Sequence, residues 1–126
     1  MKLDIKNKTI LVVEDEASVR ITALKMLQNL GYKTLEAEGV EEALLMLKQN
    51  NEVDLLLSDI VLSETQTGIE LAAMARDENQ HLRVVFMSGY TEHPSILDGS
   101  IKPGVNLLPK PFRLDDLARI ISNALQ

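Results

Sequence analysis

The sequence predicts an α/β fold: a doubly wound, five-stranded parallel sheet with helices on both faces. Three observations predict it. Strand-like stretches occur five times, most of them short continuous apolar runs the length of one buried strand. Between them, apolar residues recur at helical spacing. Polar residues able to do chemistry stand at the ends of the apolar runs rather than within them. Right-handed β-α-β units would then cover the sheet on both sides and gather the carboxyl ends of the strands at one mouth.

Thr9 to Val13 reads as the first strand, ending in Glu14, Asp15 and Glu16. Val19, Ala23, Met26, Leu27 and Leu30 then mark one helix face, and Gly31 supplies its stop. Tyr32 to Ala37 is the second strand, followed by a helix with Val40, Ala43, Leu44 and Leu47 on its apolar face. Leu55 to Ser58 is the third strand, inside the run Val53 to Leu62, with Asp59 at its end and Asp54 ahead of it at the opposite end of the sheet. A loop from Leu62 to Thr67 leads to a helix carrying Ile69, Ala72 and Ala73. Arg83 to Met87 is the fourth strand. Thr91 to Gly104 is polar and holds at most a short helix around Ser95 to Leu97. Val105 to Leu108 is the fifth strand, with Pro109 suited to an edge because it cannot donate to a ladder. The last helix buries Leu114, Leu117, Ala118, Ile121 and Leu125.

Length and composition bound the function. The 126 residues make one domain, residues 1–126 with a core from about residue 9 onward. No apolar run approaches a membrane span, and the polar, lysine-bearing start gives no export signal. The absence of cysteine excludes disulfides, thiolate catalysis and zinc-thiolate sites, in accord with a reducing compartment. A net charge of -6 with scattered Lys and Arg argues against direct nucleic-acid binding. His81 and His93 have no partner at ligand spacing and are expected on the surface; Met26, Met46 and Met74 are expected in the core.

The strand ends are the informative part. They collect Glu14 and Asp15, Asp59, Ser88, and Lys110 between Pro109 and Pro111. Three clustered carboxylates repel one another, and the usual relief is a divalent cation. All-oxygen ligands without a nearby histidine favour a hard ion such as magnesium. A carboxylate can also act as a nucleophile and form an aspartyl phosphate, for which a metal, an ammonium and a hydroxyl would supply position and charge neutralisation. Taken singly, each residue has a plainer reading: Glu14 to Glu16 as a solvated helix start, Asp59 as a turn cap, Ser88-Gly89 as a turn, Lys110 as an edge charge.

The ordered set L-V-V-E-D-E, L-L-L-S-D-I-V-L, V-V-F-M-S-G-Y-T and L-L-P-K-P-F resembles the receiver domain of two-component response regulators, from about Thr9 to the end. The S-G-Y-T run and the short Pro-Gly-containing fourth crossover resemble receivers of hybrid sensor histidine kinases in particular. The resemblance implies the flavodoxin-like strand order 2-1-3-4-5. It also implies Asp59 as phosphoacceptor, Asp15 as a direct magnesium ligand with Glu14 acting through water, and the Val61 carbonyl completing the protein's metal ligands. Ser88 would be the switch hydroxyl, Lys110 the phosphate-binding ammonium, and Lys110-Pro111 a cis bond.

The implied activity is a phosphorelay switch: Asp59 accepts a phosphoryl group from a phosphohistidine, with Mg2+, and later loses it to water. Such a domain is not a turnover enzyme. The implied partner is a histidine kinase or histidine phosphotransfer protein, with no direct nucleic-acid or membrane contact and with a weak homodimer allowed. The implied location is the cytoplasm, including as the cytoplasmic part of a membrane-bound kinase. An aspartyl-phosphate phosphatase is disfavoured, because such enzymes carry a second aspartate two places after the nucleophile, where this chain has Val61. A phosphorylation-independent interaction module, a pseudo-receiver, is the alternative. Two departures bear on it. Receivers usually carry methionine, proline and then glycine where this chain has Leu62, Ser63 and Glu64, and often an aromatic where it has Leu107. Tyr90 would then be the nearby aromatic able to gate water.

Overall fold

A computed structural model of the chain describes residues 8–50, 52–63, 65–89 and 98–126. Its strands are β1 (Thr9–Val13), β2 (Lys33–Ala37), β3 (Val53–Asp59), β4 (Arg83–Ser88) and β5 (Leu107–Pro109). Its helices are α1 (Ala17–Asn29), α2 (Val40–Gln49), α3 (Gly68–Glu78) and, after β5, α4 (Leu114–Leu125). All strand pairs are parallel, in the order β2-β1-β3-β4-β5. This is the flavodoxin-like α/β sheet that the sequence predicts.

The continuous apolar runs resolve into two faces because side chains alternate along a strand. Leu11, Val13, Leu56, Phe86 and Leu107 face α2 and α3, packing with Val40, Ala43, Leu71 and Ala75. Ile10, Val12, Leu55, Leu57, Val85, Met87 and Leu108 face α1 and α4, packing with Ala23, Leu24, Leu27, Leu117, Ile120 and Ile121. Each such buried aliphatic contributes about 1.5–3 kcal/mol of transfer free energy, enough over two faces to fix which side each strand residue takes.

Several boundaries differ from the sequence expectation. β3 begins at Val53 and ends on Asp59, so Asp54 lies inside the strand. It occupies an irregularity between Thr9 and Ile10 of β1 and accepts a hydrogen bond from the Thr9 N–H at 2.8 Å. β5 begins at Leu107 rather than Val105. Gly104 (φ 81) turns the chain, and the N–H groups of Val105 and Asn106 both donate to the Lys102 carbonyl, which leaves Val105 65% exposed.

The helix faces also shift. α3 buries Leu71, Ala72 and Ala75, whereas Ala73 and Met74 face outward. Met26 and Met46 are half-buried against the core as expected. α4 adds Ile120 to its buried face and leaves Leu114 exposed, and α1 buries Arg20 where Val19 was expected. Gly31 stops α1 with φ 100, and Pro109 lies on the edge strand, both as the sequence suggests. His81 is exposed. His93, Tyr90 and the short helix expected around Ser95 to Leu97 lie outside the described residues. Among the described residues no helix is long and apolar enough to cross a membrane.

Candidate functional site

Parallel strands that share a register end side by side. Val13 pairs with Ser58, Asp59 with Met87, and Ser88 with Pro109, so the residues next along β1, β3, β4 and β5 share one edge of the sheet. Two main-chain bonds carry the ladder past the strands. The Glu14 N–H donates to the Ala37 carbonyl at 3.2 Å, and the Lys110 N–H donates to the Ser88 carbonyl at 2.9 Å. The second bond sets Lys110 beside Ser88, whose side chain is buried at the end of β4. The Lys110-Pro111 peptide bond is cis.

From there the Lys110 ammonium reaches across the sheet edge. It donates to Glu14 Oε1 at 2.5 Å and to Asp59 Oδ2 at 3.0 Å. The Glu14 side chain is 1% exposed and that of Asp59 14%, so this pairing takes place largely out of water. Carboxylate oxygens of Glu14, Asp15 and Asp59 lie within 4.8 Å of one another. Asp15 is exposed, which leaves the cluster open on one side.

Electrostatics follow from this crowding. Burial pushes the Glu14 carboxyl up to about 7; the Lys110 hydrogen bond opposes the rise, and Asp15 and Asp59 add to it. Burial alone would lower the Lys110 ammonium, but its hydrogen bonds to Glu14 and Asp59 and their charges outweigh burial and raise it. Among the described residues the three converging carboxylates meet one ammonium, so the cluster carries excess negative charge once Glu14 is ionised. Oxygen donors of this kind fit a hard divalent cation such as magnesium.

The backbone beneath Asp59 is held closely. The Ser58 hydroxyl, fully buried, donates to the Asp59 carbonyl at 2.9 Å. Gly68, the first residue of α3, packs against the same carbonyl. A Cβ there would collide with the Asp59 oxygen and lie 2.7 Å from Ser58 Oγ. The loop between them, where receivers usually carry proline, closes by other means. Leu62 and Ser63 N–H groups both donate to the Gln66 carbonyl, Ser63 Oγ accepts from the N–H groups of Thr65 and Gln66, and Val61 bridges Thr67 antiparallel. A capping box between Thr67 and Glu70 then starts α3. Glu64 lies outside the described residues. Leu107, in place of an aromatic, is buried beside Phe86 in β4.

The structure therefore brings Glu14, Asp15, Asp59 and Lys110 into one cluster and sets Ser88 at its border by the strand ladder. Val61 stands just beyond β3 and is 41% exposed. Three contributors escape the sequence reading: Arg20, Ser58 and Gly68. For Arg20 a signal exists, because positions 20, 23, 24 and 27 form the i, i+3, i+4, i+7 stripe that α1 buries. An arginine on that stripe marks a charge with a buried task. For Ser58 and Gly68 the signal is only their smallness next to Asp59 and Thr67.

Fold and site together define a receiver domain: the response regulator receiver domain family model matches residues 10–122, and the chain belongs to that family. Among its relatives is the sensor kinase CckA of Brucella abortus, 35% identical over 119 residues; the match covers 94% of this chain and 12% of that kinase. The receiver protein CpdR of the same organism is 33% identical over 118 residues, with 94% of this chain and 97% of CpdR covered. A crystal structure of the receiver domain from the hybrid histidine kinase CckA superposes with a TM-score of 0.76 at 37% identity, covering 94% of this chain and 99% of that one. The resemblance to receivers of hybrid kinases read from the motifs agrees with the two CckA matches, while CpdR is a receiver protein covered almost end to end. The chain spans only a small part of the sensor kinase it matches.

Proposed function

We propose that this chain, read as one receiver domain over residues 1–126, is a phosphoacceptor switch in a two-component phosphorelay. Its Asp59 takes a phosphoryl group from a phosphohistidine on a histidine kinase or histidine phosphotransfer protein in the cytoplasm. The observation that carries the reading is the Lys110 ammonium bonded to a nearly buried Asp59 at the end of the middle strand. An unpaired carboxylate there would be costly, and a paired one is held in place for reaction.

In the transfer, one Asp59 carboxylate oxygen forms a bond to phosphorus as the bond from phosphorus to the donor's imidazole nitrogen breaks. Lys110 neutralises charge on the transferred oxygens, and Ser88 at the end of β4 offers a hydroxyl to one of them. Glu14, Asp15, Asp59 and the Val61 carbonyl would hold magnesium, which supplies Lewis-acid stabilisation of the phosphoryl oxygens when bound. Hydrolysis of the acyl phosphate resets the switch, so the domain is a signalling element rather than a turnover enzyme.

Acetyl phosphate with magnesium tests this directly. Label on Asp59 that is lost in Asp59→Asn is the expected result. Label that survives Asp59→Asn sinks the assignment, and absence of any labelling or divalent binding at millimolar magnesium favours a phosphorylation-independent module.

A further inference from the structure

From the position of Arg20 we infer that this residue is a positioning residue for the metal-binding acids, acting through the main chain of Glu14. The inference rests on the proposed magnesium site. Arg20 is only 7% exposed although it belongs to a surface helix. Its Nη1 donates to the Glu14 carbonyl at 2.8 Å. Its Nε donates to Glu36 Oε1 at 3.0 Å, and its Nη2 meets Glu38 Oε1 at 3.5 Å.

The peptide joining Glu14 to Asp15 is therefore held at that carbonyl by α1, while the Glu14 N–H is held by β2 through Ala37. That peptide sets the direction in which two successive acids leave the chain. Glu14 turns inward to Lys110, and Asp15 turns outward to the open side of the cluster. β1 has ended by then, so no strand ladder fixes the carbonyl. A planar guanidinium suits this task because its donors diverge: one fixes the carbonyl and the others are anchored on β2's end by Glu36 and Glu38.

The two carboxylates that receive the anchor are themselves well exposed, at 54% and 69% of their side chains. They contribute little net stability as ion pairs. Their role is to hold the fork in place, and the carbonyl bond is the one that reaches the site.

Calorimetric titration of magnesium into wild type, Arg20→Met, Arg20→Lys and Glu38→Gln, with melting curves of the same samples, tests the inference. At a temperature where each variant is folded, Arg20→Met is expected to bind magnesium roughly tenfold more weakly, the usual scale for removing a group that orients a ligand. Glu38→Gln, which leaves the carbonyl bond intact, is expected to stay within about twofold of wild type. A purely scaffolding arginine would lower the melting point and leave the affinity of the folded protein unchanged, and that result overturns the inference. If Arg20→Met does not fold, Arg20→Lys decides. An ammonium donates from one nitrogen and cannot occupy the three separate positions from which the fork holds the Glu14 carbonyl, Glu36 and Glu38. A loss of roughly threefold therefore supports the inference, whereas unchanged affinity overturns it. Wild type that binds no magnesium overturns the reading of the site itself, a result distinct from wild type and variants binding alike.

Discussion

The Lys110 ammonium and the Asp59 carboxylate meet at 3.0 Å although 51 positions separate them in the chain. One follows the edge strand β5 and the other ends the middle strand β3, with β4 between them. The contact exists because a long, flexible lysine side chain spans the strand that separates them. It therefore depends on where the chain turns after β5, at Pro109, Lys110 and Pro111.

Replacing Lys110 by methionine is expected to slow acetyl-phosphate labelling of Asp59 by roughly a hundredfold, the scale of losing one preorganised charge at a transferred oxyanion. Labelling kinetics on the purified variant check this. Fluoroberyllate binding should fall in parallel, and equal binding by wild type and variant would contradict the convergent-site geometry.

Metal-free stability should depend on pH through Glu14. Its carboxyl gives up its proton near 4.5 in the unfolded chain and at about 7 in the native one. Between those values the native state binds more protons than the unfolded state, so stability falls as pH rises. The contribution is fully present below about 4.5 and lost through about 7. In chelator, Glu14→Gln should flatten this slope and be the more stable form at pH 8 by on the order of 1–2 kcal/mol. Urea unfolding across the pH range measures it, and a variant less stable than wild type at pH 8 would refute it.

Gly68 and Thr67 are neighbours with separable roles. Gly68→Ala forces a methyl into the Asp59 carbonyl and should cost about 1–3 kcal/mol while also slowing Asp59 labelling. Thr67→Ala removes a helix cap and should cost about 1 kcal/mol with labelling nearly unchanged. Thermal melts paired with labelling rates distinguish the two, and equal labelling by both variants would count against a steric role for Gly68.

At the other end of the sheet, Asp54→Ala leaves the Thr9 N–H without its acceptor. A loss of about 1–2 kcal/mol is expected, with Asp59 labelling intact. Loss of labelling at unchanged stability would mean that Asp54 communicates with the site.

The fold was legible in the sequence because burial on both sheet faces demands long apolar runs, and helices demand a 3.6-residue period. Both patterns survive in a single chain. Hence Thr9–Val13, the fourth strand as Arg83 to Met87, one residue short of its observed end at Ser88, and the helix of Leu117 and Ile121 could be read directly. Elsewhere short-range turn chemistry overrides apolar character. Val105 looks like strand, but Gly104 and the Lys102 carbonyl turn it into solvent. In α3 the run Leu71 to Ala75 is apolar throughout, so its period alone could not choose between Ala73 and Ala75.

The candidate site divides in the same way. The acids, the hydroxyl and the lysine at the strand ends can be read from residue order alone, because parallel strands that end together must present those residues at one edge. Their pairing emerges only in three dimensions: Lys110 takes Glu14 as well as Asp59, Glu14 is buried and Asp15 is not, and Arg20, Ser58 and Gly68 hold the backbone beneath them. Those facts depend on distances between elements far apart in sequence. Residue type and spacing carry no record of such distances until the strands are laid side by side.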